Sequence, residues 1–403
     1  MIKAAVLGYG TVGSGVVEVI EGNNAQISKK AGDELHVKYI LDLRDFPGDP
    51  YEDRVIHEFD TILNDPEISV VCEVMGGVGA AYQFTKQCLE AGKSVCTSNK
   101  ELVARHGAEL LETARSNRCN YMFEASVGGG IPLIRPINSA LTAEKILEVK
   151  GIVNGTTNYI LTKMEKEGAD YNEVLKKAQE LGYAERNPEA DVEGHDACRK
   201  IAILASLVTG KNVDSEKVFA EGITEISNDD FAFANEAGMT IKLLAICRLM
   251  EDDSVLAMVA PFMVPMDNPL ATVNDVFNGV LITGNMLGDA LFYGRGAGKL
   301  PTASAVVADV IDCARHQGKT VICMWEKEEA RLADAAEIQR GFFVRAREAA
   351  KGDVEAAFPG GRLLDVPGHS GEFGYFTPVM REKDFLKKYQ ELGDKVLGKI
   401  RLL

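Results

Sequence analysis

The most constraining feature of this sequence is a glycine-rich turn that follows directly on its first apolar run. Residues 2–7 (IKAAVL) have the composition of a buried strand, and residues 8–13 (GYGTVG) match the spacing GxGxxG. Such a turn lets a pyrophosphate approach the backbone at the start of the following helix. We therefore predict dinucleotide contacts at Gly8, Gly10, Thr11, Val12 and Gly13. The alternative is a tight strand-to-helix turn that binds no ligand.

The segment up to about residue 130 alternates β-rich runs with amphipathic helical stretches. This pattern is typical of a parallel sheet covered by helices. The predicted strands are 2–7, 37–42, 70–74, 94–97 and 120–123, and the predicted helices are 80–91 and 101–117. We expect an α/β chain that begins with a Rossmann domain over residues 1–131.

The pattern changes after this first segment. Longer helical stretches at 171–181, 195–209 and 303–316 are mixed with strand-like runs such as 146–153, which indicates a second, α+β domain over 132–320. A run of charged helix formers at 326–337 then leads into a small domain over 335–403. That tail is predicted to contain a first strand at 341–347, a helix at 382–392 and a final strand near 399–402.

Composition and charge exclude several classes of partner. The net charge of −16 and the pI near 5.0 disfavour nucleic acid and anionic membranes. The first strand leaves no room for a signal peptide, and no apolar run approaches the roughly 18 residues that span a bilayer. Eight scattered cysteines show no metal-like spacing. We expect a cytoplasmic protein with reduced thiols and a small-molecule substrate.

Polar residues at the ends of predicted strands are candidate cofactor ligands. Asp42 ends the second strand, where a carboxylate binds the ribose hydroxyls of NAD, whereas Arg44 would bind the 2′-phosphate of NADP. The choice between the two cofactors stays open. Lys100, which follows Ser98 in the block TSNKELVA, stands where a side chain contacts both cofactor and substrate. The alternative for Lys100 is a surface lysine near a helix start.

Two further segments carry candidate chemistry. The block EASVGGGIP, residues 124–132, combines Glu124 with three glycines that leave carbonyl oxygens available to a hard cation, although chemistry alone favours a glycine-rich hinge. Residues 178–200 concentrate acidic side chains around two helix boundaries. Asp196 and Lys200 are four residues apart on one helix face, so the carboxylate can hold the ammonium. An exposed ion pair is the alternative, and His195 is expected to point elsewhere.

The segment 178–200 resembles the signature of the homoserine dehydrogenases at every fixed position of that pattern. The matching residues are Ala178, Gly182, Tyr183, Ala184, Asn187, Pro188, Asp191, Val192, Gly194, Asp196 and Lys200. Four other blocks resemble the same family in the same order: TSNKELVA, EASVGGGIPLIRP, NGTTNYIL at 154–161 and GRGAGKLPTASAV at 294–306. The resemblance covers roughly residues 1–320.

This resemblance implies an NAD(P)-dependent oxidoreductase that interconverts L-aspartate 4-semialdehyde and L-homoserine, in the pathway to threonine and methionine. Its site residues carry over by position. Lys200 would exchange the proton of the substrate hydroxyl and be held by Asp196, and Lys100 would lie between nicotinamide and substrate. The substrate-binding residues would be Glu185, which takes the ammonium, with Asp191, Gly155 and Thr156.

The resemblance also implies a second set of positions. Glu124 and the carbonyls of Val127, Gly129 and Ile131 match a sodium site. Gly296 and Gly298 match a loop near the cofactor, which would bring the helix 303–316 back onto the Rossmann domain. The domain 132–320 would then bind substrate and form a homodimer.

The tail departs from the family pattern. Many members end in an ACT domain, whose first strand leads into a turn with a Pro-Gly pair that binds an amino acid. Here the first strand runs into EAAKGDVEAAF instead. We expect a degenerate ACT-like domain and no inhibition by threonine through it.

Two rival functions remain at this stage. One is a dehydrogenase of another small amino acid semialdehyde, which the same acidic residue and lysine would serve. The other is a regulatory protein that senses the dinucleotide without turnover. The two lysines argue against the second rival, and substrate profiling separates the first.

Overall fold

The computed structural model describes residues 1–403, which form 20 strands and 13 α-helices. The strands are β1 (Ile2–Leu7), β2 (Leu35–Leu41), β3 (Val55–Ile56), β4 (Ile68–Glu73), β5 (Ser94–Thr97), β6 (Tyr121–Met122), β7 (Ile146–Ile152), β8 (Lys211–Asn212), β9 (Phe219–Ala220), β10 (Met239–Leu249), β11 (Val255–Pro265), β12 (Phe277–Gly284), β13 (Gly288–Arg295), β14 (Glu326–Glu329), β15 (Gln339–Arg340), β16 (Phe342–Arg347), β17 (Arg362–Leu364), β18 (Glu372–Phe376), β19 (Met380–Arg381) and β20 (Val396–Leu402). The helices are α1 (Thr11–Gly22), α2 (Asn24–Ala31), α3 (Phe59–Leu63), α4 (Gly79–Glu90), α5 (Lys100–Ser116), α6 (Gly155–Glu167), α7 (Tyr171–Glu180), α8 (Glu189–Val192), α9 (His195–Thr209), α10 (Asn228–Glu236), α11 (Lys299–Arg315), α12 (Lys351–Ala357) and α13 (Glu382–Leu392).

The chain divides into two compact units, each built from three separate segments. Unit 1 consists of Met1–Lys145, Ala202–Ser215 and Gly294–Ala330, and unit 2 consists of Ile146–Ile201, Glu216–Tyr293 and Arg331–Leu403. The sequence analysis had assumed the contiguous domains 1–131, 132–320 and 335–403. Those boundaries do not match the compact units, because local sequence pattern does not reveal where a chain returns to an earlier segment.

Unit 1 contains a six-stranded parallel sheet in the order β3-β2-β1-β4-β5-β6. This order reverses direction at β1, and in such sheets the ligand lies at the carboxyl ends of the strands beside the reversal. The side chains of β1 are nearly all buried, as expected for a strand with helices on both faces. The predicted Rossmann fold is confirmed.

Helix α11 packs against α1 within unit 1, although almost 300 residues separate them. A Cβ atom on Gly15 would lie 2.9 Å from the carbonyl oxygen of Lys299 and 3.0 Å from the Cβ of Ala303. Only glycine permits this close approach of the two helices. The buried side chains of α11 then join those of β1, β2 and β4 in one apolar core.

Unit 2 is organised by a ten-stranded sheet. Its main path is β13-β12-β7-β10-β11-β20-β16-β18-β17, and β9 also pairs with β11. Strands β10 and β11 are each 11 residues long and pair antiparallel along their whole length. Nearly every residue of β11 is buried, so this pair forms the centre of the unit.

The C-terminal tail belongs to this sheet and is not a separate compact unit. Its order of elements, β16-α12-β17-β18-α13-β20, is the βαββαβ arrangement of ferredoxin-like folds. Strand β20 pairs in parallel with β11, where Arg401 faces Phe262. Inside the tail, the buried guanidinium of Arg401 pairs with the buried carboxylate of Glu382. The ACT-like assignment and the absence of threonine inhibition stay predictions.

The charged run at 326–337 does not form the helix that its composition favours. Its first part is strand β14, which pairs with β8, and Trp325 just before it is 5% exposed. The indole packs so closely on α5 that a Cβ on Gly107 would lie 2.7 Å from it. Tertiary packing therefore overrides helix propensity here.

The state of the cysteines and the character of the helices complete the description of the fold. All eight cysteines are free thiols, and seven of them are buried. None of the helices combines the length and the apolar character needed to cross a membrane.

We predict that a chain ending at Ala330, the last residue of unit 1, will be insoluble or will unfold at a temperature at least about 5 °C lower. The truncation removes β20 and leaves the apolar strand β11 with an uncovered edge. Solubility and thermal unfolding followed by circular dichroism measure the effect. A soluble truncated chain with the wild-type unfolding midpoint would show that the tail is an independent appendage.

Candidate active site

A cavity of about 810 Å³ opens in unit 1 at the carboxyl ends of β1, β2 and β4. Its size is within the range of small-molecule sites, and it lies at the reversal of strand order where dinucleotides bind in such sheets. The lining residues include Gly8, Gly10, Asp42, Arg44, His57, Met75 and Gly76. Four of the predicted cofactor residues therefore share one cavity.

The glycines of the first turn fit a ligand that approaches the backbone. A Cβ on Gly13 would lie 1.9 Å from the carbonyl oxygen of Gly8, so this position tolerates only glycine. A Cβ on Gly10 would meet no atom within 4 Å and would project into open space. Thr11 is exposed and Val12 is half-buried, at the first turn of α1. The backbone at Gly10 is thus open to a pyrophosphate.

Asp42 and Arg44, which sequence analysis treated as rivals, bind each other. The Arg44 Nε and Nη2 atoms donate to the two oxygens of Asp42 at 2.9 and 3.0 Å. This pairing holds the pKa of Asp42 well below its ordinary value, while the Arg44 side chain stays 63% exposed. The Tyr9 backbone N–H also donates to Asp42 at 2.8 Å. The Asp42 carboxylate therefore already accepts hydrogen bonds from Arg44 and Tyr9, and the exposed guanidinium of Arg44 lines the cavity.

His57 is a cavity residue that sequence analysis missed. Its Nδ1 atom lies 2.7 Å from the carbonyl oxygen of Asp42, and that hydrogen bond raises the pKa of the imidazole. The ring adds a second basic group beside Arg44. No local motif marks this histidine, since it lies in a loop 15 residues after Asp42.

The loop after β5 presents Ser98 and Lys100. Both are half-buried, and Lys100 is the first residue of α5. Asn99 caps this helix by accepting a hydrogen bond from the backbone N–H of Leu102 at 3.1 Å. The cap fixes the start of the helix and hence the position of Lys100.

The carboxylate of Glu124 is buried and is bound by backbone amides. Its two oxygens accept hydrogen bonds from the backbone N–H groups of Leu133 at 2.5 Å, Ile134 at 2.9 Å and Arg135 at 2.7 Å. These amides open a helical turn and would otherwise lack partners, so the buried carboxylate stabilises them. A sodium site formed by Glu124 with the carbonyls of Val127, Gly129 and Ile131 stays a prediction.

The loop that carries Gly296 and Gly298 lies against the glycine-rich block of unit 1. A Cβ on Gly129 would lie 2.2 Å from the carbonyl oxygen of Gly296. Gly298 has φ 124° and forms the N-cap of α11, a backbone conformation that favours glycine. Whether this loop contacts a cofactor stays a prediction.

In unit 2, Lys200 is held in a buried position on α9. Its Nζ atom lies 2.8 Å from Oδ2 of Asp196 and 2.7 Å from the carbonyl oxygen of Val153. Lys200 is 8% exposed and Asp196 is 3% exposed. This is not the exposed ion pair of the alternative interpretation, and a buried pair of this kind is costly unless further contacts support it.

Asn154 supplies that support and was missed by sequence analysis. Its Nδ2 donates to Asp191 at 2.7 Å and to Asp196 at 3.0 Å. Its Oδ1 accepts from the backbone N–H of Thr157 at 2.9 Å and so caps α6. The signal in the sequence was an asparagine directly before a helix, which predicts the cap but not the two carboxylates.

The remaining predicted substrate residues lie around the start of α6. Gly155 is its first residue, and the hydroxyl of Thr156 donates to the carbonyl oxygen of Tyr183 at 2.6 Å. Glu185 is exposed in the loop between α7 and α8, and His195 is exposed as expected. Unit 2 therefore brings Asp191, Asp196 and Lys200 together through Asn154, whereas the role of Glu185 at this cluster stays a prediction.

Two family models and several known proteins match this chain. A family model described as "Homoserine dehydrogenase, NAD binding domain" matches residues 8–124, and one described as "Homoserine dehydrogenase" matches residues 132–311. The homoserine dehydrogenase of Synechocystis sp. is 46% identical over 317 residues, which cover 77% of this chain and 73% of that protein. The chain belongs to the homoserine dehydrogenase family. It is therefore an oxidoreductase that uses NAD(P).

Solved structures support the same family. The homoserine dehydrogenase of Thiobacillus denitrificans matches with a TM-score of 0.91 at 33% identity, covering 100% of this chain and 98% of that one. A hyperthermophilic archaeal homoserine dehydrogenase in complex with NADPH matches with a TM-score of 0.65 at 28% identity. It covers 77% of this chain and 97% of that one. The first match includes the C-terminal tail described above.

We predict that Arg44→Ala will weaken NADP binding about tenfold or more, because the guanidinium can pair with the 2′-phosphate. NAD binding should hold or improve, since the released Asp42 carboxylate can then accept the ribose hydroxyls. Fluorescence titration with NADPH and NADH measures both affinities. The matched control is Arg105→Ala, an arginine on α5 that pairs with Glu101. Equal weakening of both cofactors by Arg44→Ala would contradict the assignment.

Proposed function

We propose that this enzyme interconverts L-aspartate 4-semialdehyde and L-homoserine, and that reduction to homoserine is the physiological direction. The observation that carries the proposal is the buried Lys200, aimed by Asp196 and the Val153 carbonyl at distances of 2.8 and 2.7 Å. Oxidation of an alcohol needs a group that takes the hydroxyl proton while C4 loses a hydride. The bound nicotinamide ring supplies the acceptor or donor of that hydride.

Lys200 is proposed to exchange this proton. In the oxidative direction its amine accepts the hydroxyl proton, and in the reductive direction its ammonium returns a proton to the carbonyl oxygen. The two contacts to Asp196 and Val153 fix the direction of the Cε–Nζ bond, so the nitrogen is presented in one orientation. Asp196 also offsets the positive charge of the ammonium form.

Asn154 is proposed to keep the two carboxylates in place through the reaction. It donates to both Asp191 and Asp196, which limits the rotation of each. Asp191 is then held near Asp196 by the shared amide and is proposed to contact the substrate. The cap that Asn154 forms on α6 holds Gly155 and Thr156 next to the same cluster.

Glu185 is proposed to bind the ammonium of the amino acid. The charge is the right one, because a carboxylate forms a charge-assisted hydrogen bond with an ammonium. Its loop position allows it to close on a substrate after entry, which fits its exposure in the structure. Lys100, at the start of α5, is proposed to contact both nicotinamide and substrate.

The cofactor preference, the assembly and the location are also proposals. Exposed Arg44 and nearby His57 favour NADP as cofactor, although NAD also fits the same cavity.

The proposed homodimer is supported by β13, the edge strand of the large sheet, where Leu291 and Tyr293 are 43% and 54% exposed. The enzyme is proposed to work in the cytoplasm.

We predict that Lys200→Met will lower kcat by at least about a hundredfold, the usual effect of losing a general acid or base. Glu185→Gln should instead raise KM for homoserine more than it lowers kcat, because an ammonium contact acts equally in the ground and transition states. Homoserine oxidation followed by nicotinamide absorbance measures both variants and so separates proton exchange from binding.

The control for both variants is the affinity for NADPH in the absence of homoserine, which should stay at the wild-type level if the chain is folded. Wild-type kcat in folded Lys200→Met would refute the proposed proton exchange. An unchanged KM in Glu185→Gln would show that Glu185 faces solvent throughout the reaction.

A further inference from the structure

A buried glutamate at the end of the central strand β4 has no role in the site described above. Glu73 is 0% exposed. Its Oε1 accepts a hydrogen bond from the backbone N–H of Met75 at 2.9 Å, and its Oε2 accepts one from the hydroxyl of Thr97 at 2.6 Å. Met75 lines the dinucleotide cavity, whereas Thr97 ends the neighbouring strand β5. The carboxylate thus joins the loops that follow two adjacent strands.

The contact continues from Thr97 to the start of α5. The hydroxyl of Thr97 accepts from the backbone N–H of Asn99 at 2.9 Å. The Nδ2 of Asn99 donates to the carbonyl oxygen of Gly77 at 2.7 Å, and its Oδ1 caps the helix that begins with Lys100. The loop after β4 and the loop after β5 are therefore joined by two contacts. One is the buried carboxylate of Glu73, and the other is the hydrogen bond from Asn99 to Gly77.

We infer that Glu73 is a positioning residue that couples the cavity loop 74–77 to Lys100, and so sets the geometry of the nicotinamide end of the site. Burial of the Glu73 carboxylate is unfavourable, and no charged side chain in this network pairs with it, so packing alone does not explain a glutamate here. The hydrogen bonds from the Met75 N–H and the Thr97 hydroxyl offset the cost of burial. The inference rests on the proposed role of Lys100 and on the cofactor cavity, but not on Lys200.

The charge of Glu73 gives the coupling a measurable signature. Burial raises the pKa of Glu73 to about 7, while the donors Thr97, Met75 and Asn99 oppose that rise. The other titratable group that faces it is Tyr121 on β6, whose buried hydroxyl has a pKa well above its ordinary value. Tyr121 therefore stays neutral. Protonation of Glu73 removes its charge and turns one acceptor oxygen into a donor, which weakens its charge-assisted hydrogen bonds as the pH falls through about 7.

The test is the affinity of the full-length enzyme for NADH between pH 6 and 9, measured by fluorescence titration without substrate. NADH lacks the 2′-phosphate, which titrates in the same range. In wild-type enzyme the affinity should fall as the pH drops through about 7. Glu73→Gln should be about two- to tenfold weaker at pH 8 and should lose that pH dependence, because it lacks the titrating group.

Three further variants make the result specific. Thr97→Val removes the hydroxyl and should weaken NADH like Glu73→Gln, whereas Thr97→Ser should restore most of the affinity. In the double variant the two losses should not add, since both break the same contact. His57→Gln removes the imidazole of the cavity, whose pKa is raised by its hydrogen bond to the Asp42 carbonyl, and should retain the Glu73-dependent step.

Asp309→Asn is the matched control for a buried acid. Asp309 is 3% exposed in unit 1, and burial raises its pKa to about 8, but it contacts Arg135 and the Glu124 backbone outside the cavity. It should change thermal stability without changing NADH affinity. The inference is overturned if Glu73→Gln and Thr97→Val bind NADH like wild type across the pH range, even where their unfolding temperatures fall. Loss of activity in Lys200→Met would not affect this outcome, because NADH binding needs no chemistry.

Discussion

The side-chain amide of Asn154 is the contact on which the substrate end of this enzyme depends. It donates to two carboxylates and accepts from a helix N-terminus, so one residue satisfies three groups that would otherwise be costly to bury. The buried pair of Asp196 and Lys200 is stabilised by this amide, which donates to Asp196, and by the Val153 carbonyl, which accepts from Lys200. The direction of the lysine, and with it the proposed chemistry, follows from that arrangement.

The cofactor end of the molecule uses the same physical solution. Glu73 is buried at the end of β4, where its oxygens meet donors from two loops. Glu124 is buried just after β6, the edge strand of the same sheet, where its oxygens accept hydrogen bonds from three backbone amides. In each case a carboxylate accepts hydrogen bonds from backbone N–H groups that no backbone carbonyl satisfies, and so it fixes the conformation of a loop. Positions that carry chemistry are thereby placed on rigid supports.

Local sequence pattern predicted the elements that local forces determine. Strand β1, strand β5 and helices α9 and α13 have the predicted bounds, because apolar periodicity and glycine or acidic boundaries define them. The glycine turn of the Rossmann unit and the family signature at 178–200 were also readable. Contacts between distant segments were not. Asn154 and Asp191 are 37 residues apart. The pairing of Asp42 with Arg44 is local, but the sequence indicated only two competing ligands there. The strand β14 and the joining of the tail to the sheet of unit 2 likewise depend on packing that no local pattern records.

The central claim is that Lys200 exchanges the proton of the substrate hydroxyl. The most direct measurement is a crystal structure of the full-length enzyme with NADP and homoserine bound, and the distance of interest joins Lys200 Nζ to the hydroxyl oxygen of homoserine. The account predicts a distance within hydrogen-bond reach, about 2.6–3.2 Å, with Asp196 still bound to the same nitrogen. A homoserine whose hydroxyl lies beyond reach of Lys200, with another titratable side chain or a water in its place, would contradict the account.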